Sequence, residues 1–315
     1  MQTHRRTLKD WIVALRPWSF STSSIPVLAM AAYLFFLSAA DDACSYDWVS
    51  TLLCLPMLLL LHGGSNLISD YYDHMNHVDL PGSLNGVDWI DDKRFSPQLI
   101  RRYGGALIAA GAAVGVVILL RCGPAPLWIG ALAVALAVAY HRLKARALGD
   151  LCILFNFALL PAVGVCRVAT GCYHPETLLL CLPYGLLTIS ILHVNNTRDT
   201  ANDRRAGLLT LPMLTGWRTA AWIYVAELML PYVLTTAFAL AGSVADRRWL
   251  CLLLPLVTLP TAVRNCRTML RAADGDERAI VTLDQASAQL QLLFGLLYAL
   301  SFIIGGMVAI QGGAS

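Results

Sequence analysis

The sequence contains few charged residues, which make up 14% of its 315 positions, whereas soluble domains average about 25%. Hydrophobic residues make up 57% of the chain, and its mean hydropathy is +0.61. The nine cysteines include no CxxC pair and no Cys/His cluster at zinc spacing, which argues against a disulfide framework or a zinc site. A net charge of +3, without basic clusters interleaved with aromatics, argues against nucleic-acid binding. These absences predict an integral membrane protein.

Apolar runs long enough to cross a bilayer follow one another along the chain. Since a membrane helix needs about 20 apolar residues, the pattern predicts an all-α protein with nine spans. We interpret residues 1–315 as a single transmembrane domain. The predicted spans are residues 19–40, 49–72, 103–120, 125–141, 149–170, 176–197, 217–241, 248–270 and 286–310.

Positive charge alternates sharply between successive connections. The N-terminus and the second, fourth, sixth and eighth connections hold 19 of the 23 Lys and Arg residues. The opposite side holds only Arg121, Arg167, Arg247 and Arg248. Because cytoplasmic loops are enriched in Lys and Arg, the pattern predicts a multi-pass protein of the cell (cytoplasmic) membrane, with its N-terminus in the cytoplasm and its C-terminus outside.

Two acidic motifs close the second and sixth spans on the predicted cytoplasmic side. Asn66, Asp70 and Asp73 fall within roughly 60° of one another on a helix. The second motif repeats the amide and two carboxylates at i, i+4 and i+8, within roughly 80° on a helix; its residues are Asn195, Asp199 and Asp203. Because unpaired carboxylates are costly in a membrane segment, both motifs require cations. Their equivalent positions predict two related halves, spans one to four and five to eight, with span nine appended.

Carboxylates of this kind suit Mg²⁺, which proteins hold with one or two carboxylates plus substrate phosphates. Two facing sets would grip a diphosphate and neutralise the charge that forms on it as a leaving group. With an allylic polyprenyl diphosphate, the apolar spans would shield the resulting carbocation and its isoprenoid tail. Positively charged side chains nearby would also bind the diphosphate; they are Lys93, Arg94, Lys144, Arg146, Arg198, Arg204 and Arg205.

Three further features lie close to these motifs. The long connection of about residues 74–100, which carries Asp88, Asp91 and Asp92, is a candidate lid over the site. His62 and His193 lie near the motifs within apolar runs, and we interpret them as hydrogen-bonded packing residues. Asp284 and Gln289, at the start of the last span, are candidate helix caps or substrate contacts, and we interpret them as caps.

At these residues the chain resembles the UbiA-type intramembrane prenyltransferases, and most closely their 1,4-dihydroxy-2-naphthoate polyprenyltransferase branch. The resemblance covers nearly the whole chain, and the second motif is its most specific part. The matching segments are Trp11 to Pro17, Asn66 to Asp73 with Asp79, Tyr140 to Asp150, Asn195 to Gly207 with Thr210-Leu211, and Leu283 to Leu290.

The resemblance implies a nine-span fold and Mg²⁺-dependent transfer of a polyprenyl group to an aromatic acid with loss of CO2, which gives demethylmenaquinol. It assigns catalysis and metal binding to Asp70, Asp73, Asp199 and Asp203. Substrate-binding roles then fall to Asn66, Asp79, Lys144, Arg146, Asn195 and Arg198. Arg16 is a candidate contact for the acceptor carboxylate.

The chain departs from that branch at several positions and leaves alternatives open. Ser69 replaces a usual Asn, His77 replaces a usual Gly, and the segment after Asp79 lacks the expected Gly-Pro-x-Arg pattern. Another aromatic acceptor, such as 4-hydroxybenzoate, homogentisate or a tetrapyrrole, or cyclisation of the prenyl chain, therefore stays open. A transporter of an anionic solute is the alternative from another class, although the motifs lie at one membrane face rather than at the midplane.

Overall fold

The structure is a computed structural model that describes residues 6–39, 46–75, 95–205 and 207–313. Its regular secondary structure in these ranges is helical. The α-helices in those ranges are α1 (Leu8–Ala14), α2 (Ser21–Ser38), α3 (Trp48–Met75), α4 (Pro97–Cys122), α5 (Leu127–Lys144), α6 (Gly149–Leu154), α7 (Leu160–Thr170), α8 (Thr177–Leu180), α9 (Leu182–Arg198), α10 (Thr200–Arg205), α11 (Leu211–Thr215), α12 (Trp217–Ser243), α13 (Leu259–Ala273) and α14 (Leu283–Gly313). Short 3₁₀ or π segments join several of them, at Pro17–Ser19, Phe155–Leu159, Arg247–Thr258 and Glu277–Ile280.

Eight helical stretches in the described residues are long and apolar enough to cross a membrane. They match eight of the predicted spans, with ends shifted by a few residues. The predicted fourth span corresponds to the shorter apolar helix Leu127–Tyr140. The prediction of an all-α membrane protein with about nine spans is therefore confirmed. The division into two related halves stays a prediction.

The last helix, α14, packs against α2, α9 and the 3₁₀ segment Arg247–Thr258. Its aromatic side chains Phe294, Tyr298 and Phe302 are fully or almost fully buried. The rings of Tyr298 and Phe302 meet edge to face at 5.3 Å between centroids, and Tyr33 of α2 packs on Phe302 at the same distance. This aromatic core joins α14 to the second half of α2.

Helices α3 and α4 form a close pair because glycines face each other. A Cβ atom on Gly64 would lie 2.8 Å from the carbonyl oxygen of Gly104, and the converse distance is 2.9 Å. Such small-residue contacts let two membrane helices approach closely. The short helix α1 packs against this pair, since the Trp11 ring lies 5.0 Å from the rings of both Phe95 and Tyr103.

The chain turns sharply between α1 and α2 at Arg16, whose φ of 55° and ψ of 57° place it in the left-handed region. For a residue with a side chain this conformation costs about 1–2 kcal/mol. Hydrogen bonds and packing contacts must therefore hold it. One of them is the Ser19 hydroxyl, which donates to the Arg16 carbonyl oxygen at 2.8 Å.

Candidate active site

The first acidic helix end comprises Asn66 and Asp70 on α3, with the Arg16 turn packed against them. The Arg16 guanidinium forms an ion pair with the Asp70 carboxylate. The Asn66 side-chain amide donates to the Leu15 carbonyl oxygen at 3.0 Å and to the Ser19 hydroxyl at 3.2 Å. Asp70 thus receives its positive partner from a segment 54 residues earlier in the chain.

The second acidic helix end is organised around Arg198, the last residue of α9. Its guanidinium donates to both carboxylate oxygens of Asp199, at 3.1 and 3.2 Å, and to the Asn195 side-chain oxygen at 3.0 Å. A further contact joins it to the Asp284 carboxylate of α14 at 3.0 Å. Arg198 is 10% exposed, so these hydrogen bonds form largely away from solvent, where charged hydrogen bonds are strong.

The predicted continuous helix through the second motif is wrong, because α9 ends at Arg198 and α10 begins at Thr200. Asp199 has φ −92° and ψ 8°. The Thr200 hydroxyl lies within hydrogen-bond distance of two backbone carbonyl oxygens, those of Asn196 at 3.1 Å and Thr197 at 2.8 Å. Such back-bonding by hydroxyls is compatible with a bend at this point, and the interruption places Asp203 on a separate short helix.

Asp203 contacts a cation from another part of the chain. Its carboxylate lies 3.7 Å from the Lys144 ammonium at the end of α5, and its second oxygen is buried without a hydrogen-bond partner. Burial raises the pKa of the Asp203 carboxyl; the negative charge of Asp199 raises it further, whereas Lys144 lowers it. After Lys144 the chain turns through Ala147, at φ 59°, and enters α6.

Several predicted site residues are not placed in these contacts. Asp79 and most of the candidate lid, including Asp88, Asp91 and Asp92, lie outside the described residues, and for Asp73 the structure describes only the helical backbone. Arg146 is exposed. The role of Arg16 toward an acceptor carboxylate stays a prediction, since the partner that the structure gives it is Asp70.

The start of α2 connects the helices that carry the two motifs. On one side Ser19 contacts His62 and Asn66 of α3. On the other side the Gln291 amide of α14 lies 3.5 Å from the Ser21 carbonyl oxygen and 3.3 Å from the Thr188 hydroxyl of α9. Polar contacts at the start of α2 therefore reach both motif helices.

Both histidines near the motifs are hydrogen bonded, as the sequence suggests. His193 is fully buried, and its Nδ1 lies 3.0 Å from the Glu227 carboxylate of α12. His62 lies between two serines of the Arg16–α2 segment. Asp150, at the start of α6, has both carboxylate oxygens buried without a hydrogen-bond partner.

Sequence reasoning missed two contributors to the site. Asp284, interpreted above as a cap, forms an ion pair with Arg198, and Ser19 connects Asn66 to the Arg16 turn. The acid at the start of the last span could have been proposed as a partner for the buried Arg198. The serine gives no comparable signal, because its role depends on how the N-terminal segment packs.

The donor atoms at both helix ends suit Mg²⁺. The available groups are carboxylate and amide oxygens, which are its preferred protein ligands, and one oxygen of Asp203 is buried without a hydrogen-bond partner. Among the described side chains, no three His, Cys, Asp or Glu residues cluster as a ready metal site. Mg²⁺ commonly uses one or two carboxylates together with substrate phosphates.

The fold and these two charged helix ends define a multi-pass membrane protein with carboxylate and guanidinium groups at the ends of two long helices. The model of the UbiA prenyltransferase family matches residues 25–283. The chain therefore belongs to the UbiA prenyltransferase family, and the protein is a prenyltransferase rather than a transporter.

Relatives of similar length support this membership. The UbiA prenyltransferase domain-containing protein 1 of Danio rerio is 33% identical over 303 residues, covering 93% of this chain and 84% of the relative. The Homo sapiens protein of the same name is 32% identical over 309 residues, with coverages of 95% and 85%.

Solved structures share the fold at low sequence identity. A UbiA homolog from Archaeoglobus fulgidus bound to GPP and Mg²⁺ aligns with a TM-score of 0.57 at 17% identity, over 96% of this chain and 99% of that one. The apo structure of a UbiA homolog from Aeropyrum pernix K1 aligns with a TM-score of 0.60 at 17% identity, covering 89% and 97%.

Proposed function

We propose that the protein transfers a polyprenyl group from an allylic polyprenyl diphosphate to an aromatic acid in a Mg²⁺-dependent reaction. The observation that carries the proposal is the pair of carboxylate-bearing helix ends, each with its own guanidinium group. The Archaeoglobus fulgidus homolog was solved with GPP and Mg²⁺, and the oxygen donors of this chain suit the same kind of ligand.

The carboxylates of Asp70, Asp73, Asp199 and Asp203 would hold the metal ions. When bound, Mg²⁺ neutralises charge on the diphosphate as a Lewis acid. Arg198, which already makes bidentate contacts with Asp199, has the planar fork that suits phosphate oxygens. Lys144 lies close enough to Asp203 to serve the same leaving group.

In the reaction, the bond between the allylic carbon and oxygen breaks, and diphosphate leaves with the electron pair. An electron-rich ring carbon of the acceptor then attacks the allylic carbon. The apolar spans shield the cationic carbon from water. For the acceptor we propose 1,4-dihydroxy-2-naphthoate, whose carboxylate leaves as CO2 and returns its electron pair to the ring. The sequence resemblance of the second motif supports this choice.

We further propose that the N-terminus and both acidic helix ends face the cytoplasm of a cell (cytoplasmic) membrane. The concentration of 19 of the 23 Lys and Arg residues on that side supports the orientation.

The test uses membranes that contain the protein, with Mg²⁺, a polyprenyl diphosphate and a panel of aromatic acids, and follows products by mass spectrometry. We expect a prenylated naphthoquinol that has lost CO2, dependent on Mg²⁺ and absent from Asp70→Ala. Asp274→Ala serves as the matched control, since Asp274 is exposed in the turn after α13.

Two other results would change the proposal. Diphosphate release with 4-hydroxybenzoate, homogentisate or a tetrapyrrole, or a cyclised prenyl product, would keep the chemistry and replace the acceptor. Equal turnover in Asp70→Ala and wild type would overturn the assignment of the first helix end to the active site.

A further inference from the structure

His62 lies on the same face of α3 as the first acidic helix end. It precedes Asn66 by four residues and Asp70 by eight, and side chains at these spacings lie one above the other along a helix. The ring of Phe20 is 5.6 Å from the imidazole, and that of Phe157 is 5.2 Å away. The imidazole is thus fixed between two aromatic rings, on the side of α3 that faces the start of α2.

Both ring nitrogens of His62 meet a serine hydroxyl of the segment that follows Arg16. Nδ1 lies 2.5 Å from the Ser23 Oγ, and Nε2 lies 3.4 Å from the Ser19 Oγ. The single hydroxyl proton of Ser19 is already donated to the Arg16 carbonyl oxygen. Toward His62, the Ser19 oxygen therefore accepts a hydrogen bond.

These hydrogen bonds determine the tautomer of the His62 imidazole. Because Ser19 accepts, the proton of His62 is on Nε2, and Nδ1 accepts the proton of the Ser23 hydroxyl. A doubly protonated ring would add a second positive charge beside Arg16 within an apolar span, which is unfavourable. His62 is therefore a neutral imidazole that donates through Nε2.

The same serine fixes the side-chain amide of Asn66. Leu15 offers only a carbonyl oxygen at 3.0 Å, so the group of Asn66 that faces it must be the NH2. The second amide proton is directed at Ser19. With both protons used on the Arg16 turn, the amide oxygen of Asn66 is the atom left to bind a metal ion.

We propose that His62 is a positioning residue that, through Ser19, holds the Arg16 turn and the Asn66 amide in the orientation that binds the Mg²⁺–diphosphate group. This inference rests on the proposed function, in that diphosphate is the ligand of the first helix end. His62 contacts neither the diphosphate nor the reacting carbons. Its Nε2–H donates to the Ser19 oxygen, which also accepts a hydrogen bond from the Asn66 amide. The Ser19 hydroxyl in turn donates to the Arg16 carbonyl oxygen and stabilises the turn there.

The variants separate hydrogen bonding from packing. His62→Leu removes the donor, whereas His62→Gln places an amide NH2 near the position of Nε2 and keeps it. Ser19→Ala removes the connection itself. Ser24→Ala is the matched control, because the Ser24 hydroxyl donates only to a local carbonyl oxygen, that of Phe20 just before α2.

We expect His62→Leu to raise the KM for the polyprenyl diphosphate roughly threefold to tenfold, the range of one lost hydrogen bond. Its KM for the aromatic acceptor should be unchanged, and His62→Gln should recover most of the loss. The His62→Leu and Ser19→Ala double variant should be no worse than the poorer single variant, because both act through one connection.

A second readout does not require turnover. In ¹⁵N-histidine NMR of the wild-type protein, the resonances absent from His62→Gln identify His62. We expect the shifts of a neutral Nε2–H tautomer, and Ser23→Ala should move the Nδ1 resonance. Thermal stabilisation by Mg²⁺ and inorganic diphosphate should be smaller in His62→Leu than in wild type.

The outcomes distinguish this inference from the proposed function. If wild type shows no prenyl transfer but the tautomer and the diphosphate-dependent stabilisation are as expected, the reaction assignment fails and the positioning role stands. An Nδ1–H tautomer, an unchanged diphosphate KM in folded His62→Leu, or equal losses in the Leu and Gln variants would each overturn the positioning role.

Discussion

The two acidic helix ends share the Asn-xxx-Asp spacing but obtain their positive partners in different ways. At the first, Asp70 pairs with Arg16, which is 39% exposed and belongs to the segment between α1 and α2. At the second, Asp199 pairs with its neighbour Arg198, which is 10% exposed and also binds Asp284. The first pair depends on how a distant segment packs, whereas the second is mostly local and buried.

Equal spacing in the sequence therefore does not imply that the charged groups at the two helix ends are held equally firmly. A buried guanidinium with several charged hydrogen bonds keeps its geometry, because breaking one contact leaves an uncompensated charge. A partly exposed ion pair contributes about 0–1 kcal/mol. We therefore expect the second helix end to be the rigid half of the site and the first to be the adjustable half.

The largest expected effect is the loss of a carboxylate at either end. Asp70→Asn and Asp199→Asn should each reduce kcat/KM by at least about 10²-fold, because each removes charge that the proposed diphosphate site requires. Assays of diphosphate release, with size-exclusion profiles as a check on folding, measure the effect. Asp199→Asn should also lower the thermal stability more than Asp70→Asn, because the positive charge of the buried Arg198 would lose one of its two carboxylate partners.

A result in which only one of the two substitutions reduces turnover would contradict the comparison between the two helix ends. It would mean that the ends do not serve one reaction. Equal melting temperatures of the two variants would contradict the contrast between a rigid and an adjustable half.

The next largest effect separates the two arginines. Arg198→Lys keeps the charge but loses the planar fork, so we expect kcat/KM to fall roughly tenfold to a hundredfold, in the range of lost charged hydrogen bonds. Arg16→Lys should cost only about threefold, because its pair is partly exposed. Arg264→Lys, an exposed position on α13, is the control. A larger loss at Arg16 than at Arg198 would reverse the assignment of the two halves.

The sequence predicts most of this architecture and fewer of its contacts. Apolar run lengths place the spans to within a few residues, because bilayer thickness sets them. The positions of Asn66, Asp70, Asn195 and Asp199 at helix ends also follow from sequence. The partners do not, since Asp284 reaches Arg198 from 86 positions away and pairing at that range depends on tertiary packing. The break at Asp199 is likewise invisible to a helical projection, which assumes one continuous helix.

A smaller effect tests the dependence of the first helix end on the packing of α1. Trp11→Ala removes the ring that contacts Phe95 and Tyr103 and should destabilise that packing by about 1–3 kcal/mol. We expect a several-fold higher KM for the diphosphate substrate and little change in kcat. Trp222→Ala is the control, because that side chain is 58% exposed on α12. If the Trp11 and Trp222 variants behave alike, α1 does not support the Arg16 turn.

The smallest expected effect concerns the pH dependence of the second helix end. Burial raises the pKa of Asp203, and Lys144 opposes that rise, so Lys144→Met should raise the pKa further. Because the carboxylate form is the one that binds a cation, activity should begin to fall at a higher pH as the solution is acidified. Arg146→Met, an exposed change two residues away, should leave the acid limb of the kcat/KM profile in place. An acid limb that stays in place or moves to lower pH in Lys144→Met would show that Asp203 is not the group being titrated.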